Sequence, residues 1–157
     1  MAQVTTRRQL TFSDLDAIVM DVQRFPGGNL TSTGQWTPAE NVDHVAKVIR
    51  FSIEGFPGKA PWWLAAIGRV LPKSMVRRPI KPGIKLGPSM SWLLPEQGIA
   101  WDAAADRLVG VVALAKRQKM TQASPVFGKL TDEQWISLHC RHAELHLGFI
   151  QVASEQS

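Results

Sequence analysis

The stretch WTPAENVDHVAKVIRFSIEGF, residues 36–56, constrains the fold more than any other part of the sequence. Thr37 and Glu40 form the capping box that starts an α-helix, and Pro38 suits the first turn of that helix. Apolar residues then recur at helical spacing until Gly55, a residue type that ends helices. We therefore predict a helix over residues 37–54.

Three further segments show the same helical pattern of apolar residues. They cover residues 13–25, 101–119 and 131–153. Ser13 is the predicted N-cap of the first, and Thr131 with Gln134 forms a capping box at the start of the last. No segment alternates apolar and polar residues convincingly, as a strand would. We therefore predict an all-α fold, a four-helix bundle, in a single domain over residues 1–157.

A long excursion, residues 55–95, separates the second and third long helices and is rich in proline and glycine. One apolar run within it, PWWLAAIGRVL, predicts a short helix starting near Pro61. Long loops in compact domains are often lids or binding elements. Trp62 and Trp63 are therefore candidates for the wall of a substrate pocket, and capping the open end of the bundle is their alternative role.

The same excursion carries most of the charge asymmetry of the chain, whose net charge is +5. It contains no Asp or Glu. Its basic residues are Lys59, Arg69, Lys73, Arg77, Arg78, Lys81 and Lys85. Nucleic acid, an anionic membrane surface or a negatively charged substrate could each use them, and a solvated loop is the simpler alternative. Because they are scattered among prolines rather than along one helix face, we do not expect a nucleic acid partner.

Targeting signals and cysteine usage narrow the class of protein. The N-terminal TTRRQLTF has the paired arginines of an export signal, but acidic residues interrupt the apolar stretch that such a signal requires. No run of about 18 apolar residues occurs, so a membrane span is not supported. We predict a cytoplasmic protein without a membrane partner. Cys140 is the only cysteine, which excludes an intrachain disulfide and clusters of zinc-binding thiolates.

Three of the four histidines lie in the last predicted helix, within LHCRHAELHLGF. At about 100° per residue, His142 and His146 fall in its apolar stripe, and His139 lies just beside them. A buried imidazole costs free energy unless it finds a hydrogen-bond partner or a metal ion. These histidines are therefore candidates for a metal site, with hydrogen-bonded core histidines as the alternative.

His142 and His146 have the i, i+4 spacing by which one helix supplies two nitrogens to a zinc ion. His139 and His146 are roughly 10 Å apart along the helix axis, so His139 is given a supporting or substrate-facing role. The third ligand must come from another helix, and His44 is the only histidine left. It lies near the edge of the apolar stripe of its own helix.

Two neighbours of the histidine pair do not suit the chemistry. Glu144 lies about 200° around the helix from His142, so it is a poor general base although HAELH superficially resembles a metalloprotease motif. Cys140 lies roughly 160° from His142 and is predicted to be a small, buried, apolar residue.

Several segments resemble a branch of unknown function within the DinB/YfiT-like metalloenzyme superfamily. They are GQWTPAENVDHVAKV, GFPGKAPW and PVFGKLTDEQWISLHCRHAELHLGF. The resemblance implies a four-helix bundle and a divalent metal, for which we expect zinc or nickel, held by one histidine of the second helix and a pair from the last. Those positions are His44, His142 and His146. The HRGQ that commonly follows the last histidine is absent here, so the substrates of better-known members are not carried over.

Three hypotheses follow. The first is a metal-dependent enzyme acting on a small-molecule substrate, a hydrolase or a thiol-dependent transferase, in which three imidazoles leave one coordination position open. The second is a non-catalytic protein whose basic loop, residues 59–85, binds an acidic partner. The third is a metal-free bundle with histidines packed in its core, able to form a homodimer through an apolar helix face.

Overall fold

A computed structural model describes residues 6–153, which are mostly helical with one small two-stranded sheet. In chain order the elements are α1 (Leu15–Gln23), β1 (Leu30–Ser32), α2 (Pro38–Glu54), α3 (Trp62–Val70), α4 (Trp101–Arg117), α5 (Asp132–Leu147) and β2 (Ile150–Val152). Two 3-10 turns, Lys73–Arg77 and Pro88–Leu93, lie between α3 and α4. None of the helices in this range is long and apolar enough to cross a membrane.

The helix α2 begins and ends where the sequence predicts. The Thr37 hydroxyl accepts from the backbone N–H of Glu40, and the Glu40 carboxylate accepts from the N–H of Thr37, so both halves of the capping box form. The helix packs along α4 and α5, while α1 packs against the same two helices. Because α2 is covered on two sides, its buried arc is broad and includes His44.

The predicted start of the first helix is wrong by one residue. Asp14, not Ser13, is the N-cap of α1, and its carboxylate accepts from the N–H of Ala17 at 2.8 Å. Both residue types cap well, and an aspartate also carries the negative charge that a helix N-terminus favours. The short helix predicted near Pro61 is confirmed as α3.

The predicted end of the last helix is also wrong. The helix α5 stops at Leu147 with Gly148 as its C-cap, and the chain then forms β2, where a continued helix was expected up to residue 153. The absence of strands was a second wrong expectation. Ile150 and Val152 are β-branched and therefore suit a strand, but a three-residue strand is too short to show alternation in the sequence.

The antiparallel pairing of β1 with β2 holds the residues that precede α2 next to the residues that follow α5. Just beyond the sheet, the N–H of Thr33 donates to the carbonyl of Phe149 at 3.0 Å. The ring of Phe149 lies so close to Gly34 that an added Cβ would be 3.3 Å from it. This contact brings the residues before α2, including Trp36, beside the last turn of α5.

Candidate metal centre

The helices α2 and α5 bring three histidines together. His44 comes from the second turn of α2, and His142 and His146 come from successive turns of α5. One ring nitrogen from each lies within 4.8 Å of the other two. The ring centroids are 4.5 to 4.9 Å apart. The three residues that the sequence selected as metal ligands are therefore neighbours in space.

The tautomer of His44 is fixed by the backbone. Its Nδ1 lies 2.6 Å from the carbonyl oxygen of Leu93, which can only accept, so Nδ1 carries the proton and donates. The lone pair is then on Nε2, which lies 3.1 Å from Nε2 of His142. Metal-binding histidines commonly donate their other ring N–H to a carbonyl oxygen in this way.

The spacing of these nitrogens fits a shared divalent ion. Two nitrogens 3.1 Å apart could both reach one ion, because metal–nitrogen bonds are about 2.0–2.1 Å long. Nδ1 of His142 has no hydrogen-bond partner among residues 6–153, so no second contact fixes the tautomer of this ring. The three ring nitrogens could therefore hold a metal ion.

Desolvation keeps all three imidazoles neutral, which is the form that binds a metal. Burial lowers the pKa of His44 to about 4, although its hydrogen bond to Leu93 acts in the opposite direction. Burial also lowers the pKa of His142 well below the ordinary value, and the neighbouring imidazoles lower it further. The pKa of His146 is lowered by burial, by His44 and by the charge of Arg7. No proton therefore competes for the site at neutral pH.

Residues 93–98 form hydrogen bonds with α2 beside His44. Beside the His44 contact, the Lys47 ammonium donates to the carbonyl of Leu94 at 2.6 Å. The buried Asp43 carboxylate accepts from the N–H of Glu96 at 2.8 Å and pairs with Arg107 at 2.9 Å. The C-terminal end of the excursion thus supports a histidine of the cluster.

Trp36 is the aromatic neighbour of the cluster. Its ring stacks on His146 with centroids 5.4 Å apart and an angle of 18°, and its centroid lies 4.7 Å from that of His44. Sequence reasoning did not select this residue. Its only local signal was its position just before the capping box, and the strand pairing that places it is not local.

His139 occupies a different environment from the other three histidines. Its ring is buried, stacks on Trp135 at 5.1 Å, and bonds through Nε2 to the Ser52 hydroxyl at 2.9 Å. The Ser52 hydroxyl donates to the carbonyl of Ile49, so it accepts from His139. Burial lowers the pKa of His139 to about 3. This placement does not favour a substrate-facing role, and a supporting role stays a prediction.

The face of α5 is rotated relative to the sequence prediction. The histidines His142 and His146 were expected at the centre of the core stripe with His139 beside it. In the structure His139 lies in the buried face, while His142 and His146 are half-buried at its edge. Residues 7–12 hydrogen-bond to α5, and α1, α2 and the 3-10 turn Lys73–Arg77 also pack against it, and together these contacts decide which face is buried.

The other residues considered from the sequence lie away from the cluster. Trp62 and Trp63 are on α3 with 83% and 52% of their surfaces exposed. Two surface cavities of about 220 and 330 Å³ are described, and none of their lining residues is one of these tryptophans or a cluster histidine. A pocket wall formed by the tryptophans stays a prediction.

Cys140 and Glu144 behave as their positions on the helix indicate. Cys140 is a buried free thiol whose pKa burial raises to about 11, so it is not a reactive thiolate at neutral pH. The Glu144 carboxylate accepts from the N–H of Phe12 at 2.7 Å and from Arg141 at 2.6 Å. It is therefore engaged in structural contacts rather than available as a base.

Comparison with known proteins gives a family and no function. The model of a family described as a protein of unknown function, DUF1569, matches residues 4–153. No curated protein and no solved structure matches the chain.

Proposed function

The chain belongs to the DUF1569 family, and we propose that it is a metal-dependent enzyme whose divalent ion is held by His44, His142 and His146. The observation that carries this proposal is the meeting of Nε2 of His44 with Nε2 of His142 at 3.1 Å, while the carbonyl of Leu93 occupies the other nitrogen of His44. The lone pair of His44 is thus left to a neighbouring imidazole, and the third histidine lies near enough to share a metal ion with both.

Each residue of the cluster has a distinct part in this proposal. His142 and His146 supply two nitrogens from one rigid helix, and His44 supplies the third from α2. Leu93 orients His44, and Trp36 covers one side of His146. A divalent ion held by three imidazoles would supply Lewis-acid chemistry for a bound substrate. His142 and His146 are half-buried, and in this proposal the substrate reaches the ion on their side of the cluster.

The reaction class and the superfamily belong to the same proposal. The resemblance to DinB/YfiT-like metalloenzymes favours a hydrolase or a thiol-dependent transferase, and no residue of the cluster distinguishes the two. In this proposal α1, α2, α4 and α5 form the four-helix bundle of that superfamily, as their mutual packing supports. The family match over residues 4–153 supports a single domain.

Elemental analysis of the untagged protein tests the metal proposal. After growth with added zinc and nickel, we expect close to one equivalent of divalent metal per chain. A variant with His142→Ala and His146→Ala should contain almost none. The matched control is His139→Asn, which removes a histidine of the same helix that lies outside the cluster. It should retain the metal.

Circular dichroism and urea unfolding of each variant separate loss of ligands from loss of fold. Metal absent from the wild type and from all variants would favour histidines that are only structural. Metal retained by the double variant, with its helical content intact, would place the ion elsewhere and would contradict the proposal.

A further inference from the structure

The helix α3 presents an apolar face to solvent. At about 100° per residue, Trp62, Trp63, Ile67 and Val70 fall within an arc of roughly 140°. Their exposed fractions are 83%, 52%, 49% and 82%. Soluble domains rarely expose several large apolar side chains together without a binding role. We call these four residues the α3 face.

The outward orientation of the α3 face is enforced by the opposite side of the helix. Gly68 is buried there, and a Cβ added to it would lie 2.2 Å from the backbone carbonyl oxygen of Val126. Only glycine allows this close approach. The helix therefore contacts the protein through its smallest residue, and its largest side chains point away from the protein.

The chain around α3 is cationic and contains no acidic residue. Between residues 55 and 95 six of the seven basic side chains are exposed: Lys59, Arg69, Arg77, Arg78, Lys81 and Lys85. None of these six makes an ion pair within the described range of 6–153. The seventh, Lys73, donates to the carbonyls of Phe127 and Lys129 and anchors the segment. Among residues 6–153, these six cations therefore have no anionic partner.

From this combination we infer that the α3 face is a docking surface for an anionic lipid bilayer. Tryptophan and aliphatic side chains on one side of a short helix suit the boundary between headgroups and acyl chains. Nearby lysine and arginine side chains are attracted to anionic headgroups. The expectation of no membrane partner came from the lack of a spanning segment, which does not bear on contact with a membrane surface.

Two other occupants fit the same surface less well. Nucleic acid would use the tryptophans for base stacking and the cations for phosphates, but it gains nothing from exposed Ile67 and Val70. A second copy of this chain would bring two sets of six unpaired cations together, which like-charge repulsion opposes. The aliphatic residues favour lipid over nucleic acid, and the charges favour lipid over self-association.

Vesicle flotation of the full-length protein tests this inference. We expect binding to vesicles of phosphatidylcholine mixed with phosphatidylglycerol, and little binding to phosphatidylcholine alone. Added salt should weaken the binding. Trp62→Ala with Val70→Ser should lower the partition coefficient about tenfold or more, because both side chains would enter the interface. Met20→Ser, which removes an exposed apolar side chain from α1, is the matched control and should bind normally.

A charge-matched pair of variants tests the electrostatic part. Lys81→Glu with Lys85→Glu should weaken binding about tenfold or more. Arg117→Glu with Lys119→Glu changes the net charge by the same amount outside the acid-free segment and should have a smaller effect. Equal loss in the two double variants would contradict a local surface. So would tighter binding to single-stranded oligonucleotides than to anionic vesicles, or a dimer in light scattering that Trp62→Ala with Val70→Ser converts to monomer.

Discussion

Nε2 of His44 and Nε2 of His142 lie 3.1 Å apart, although 98 positions separate the two residues in the chain. Both rings are neutral at neutral pH, because burial lowers the pKa of each. Two neutral imidazoles facing each other in this way share either one proton or one cation. The third imidazole, His146, lies close enough to complete a coordination set.

The buried contact between His139 and Ser52 is expected to stabilise the fold independently of metal. In Ser52→Ala the Nε2–H of His139 loses its acceptor, and we expect a loss of about 1–3 kcal/mol in the free energy of unfolding. Urea denaturation in the presence of a chelator measures this. Ser91→Ala, at an exposed serine, is the control and should change stability by less than about 0.5 kcal/mol. Equal stability of the two variants would contradict a structural role for the contact.

Stability should fall as the pH is lowered from about 6.5, partly because of His139. Burial lowers its pKa to about 3 in the folded state, so between these pH values the unfolded chain binds a proton that the folded chain does not. Because of this ring, the free energy of unfolding falls by about 1.4 kcal/mol for each pH unit below about 6.5. Above about pH 6.5 the ring adds no pH dependence. His139→Phe keeps an aromatic ring beside Trp135 without a titrating group.

Unfolding of the wild type and His139→Phe should be compared at several pH values between about 6 and 4.5. The variant should show the shallower dependence, by about one bound proton. The carboxylates and the other histidines titrate in both proteins and do not account for a difference. Identical slopes would contradict the burial of a neutral imidazole at this position.

The contacts of Arg8 are expected to fasten the segment before α1 to α1, through the ion pair with Asp21, and to the end of α5. The guanidinium donates to both oxygens of the buried Asp21 at 2.8 and 2.9 Å, and also to the carbonyls of Leu147 and Ile150. Asp21→Asn leaves the guanidinium without its counter-ion, and we expect a loss of about 2–3 kcal/mol in the free energy of unfolding. The partial exposure of Arg8 keeps this below the cost for a fully buried pair.

The exposed pair of Arg50 with Glu54 provides the control for that measurement. Glu54→Gln should cost less than about 0.5 kcal/mol, because solvent screens the pair. If Asp21→Asn and Glu54→Gln had the same free energy of unfolding, the pair of Arg8 with Asp21 would stabilise the fold no more than an exposed ion pair does.

Two glycine substitutions should have opposite effects on stability. In Gly68→Ala the new Cβ would meet the carbonyl oxygen of Val126, so we expect a loss of about 1–3 kcal/mol and displacement of α3. Gly110 lies inside α4 with nothing within 4 Å of an added Cβ. Gly110→Ala should gain about 0.5–1 kcal/mol through helix propensity. A neutral Gly68→Ala would show that α3 is free to reorient.

The start of a helix could be predicted from sequence where a complete capping box sets it, whereas two adjacent capping residues, Ser13 and Asp14, left the start of α1 one residue wrong. Both bonds of the capping box at Thr37 involve residues three positions apart, and the helix begins there as predicted. The sheet could not be predicted, because Thr31 pairs with Gln151 across most of the chain. The same pairing places Trp36 beside His146, so this aromatic neighbour of the cluster could not be predicted from the sequence either.

The identity of the three clustered histidines could be predicted, but their surroundings could not. The i, i+4 spacing of His142 and His146 depends only on helix geometry. Which face of α5 is buried depends on what packs against it. In the structure His139 is buried and His142 and His146 are half-buried at the edge, whereas the pair was expected at the centre of the buried face. The hydrogen-bond acceptor of His44 is the backbone carbonyl of Leu93. Every residue has a backbone carbonyl, so the residue types in the sequence do not show which one is the acceptor.

X-ray absorption spectroscopy of the protein loaded with one equivalent of zinc or nickel tests the central claim most directly. We predict about three imidazole nitrogens at about 2.0–2.1 Å, and loss of imidazole scattering in His44→Ala but not in His139→Asn. A sulfur ligand near 2.3 Å, or a spectrum that His44→Ala leaves unchanged, would show that α2 and α5 do not share one ion and would contradict the account.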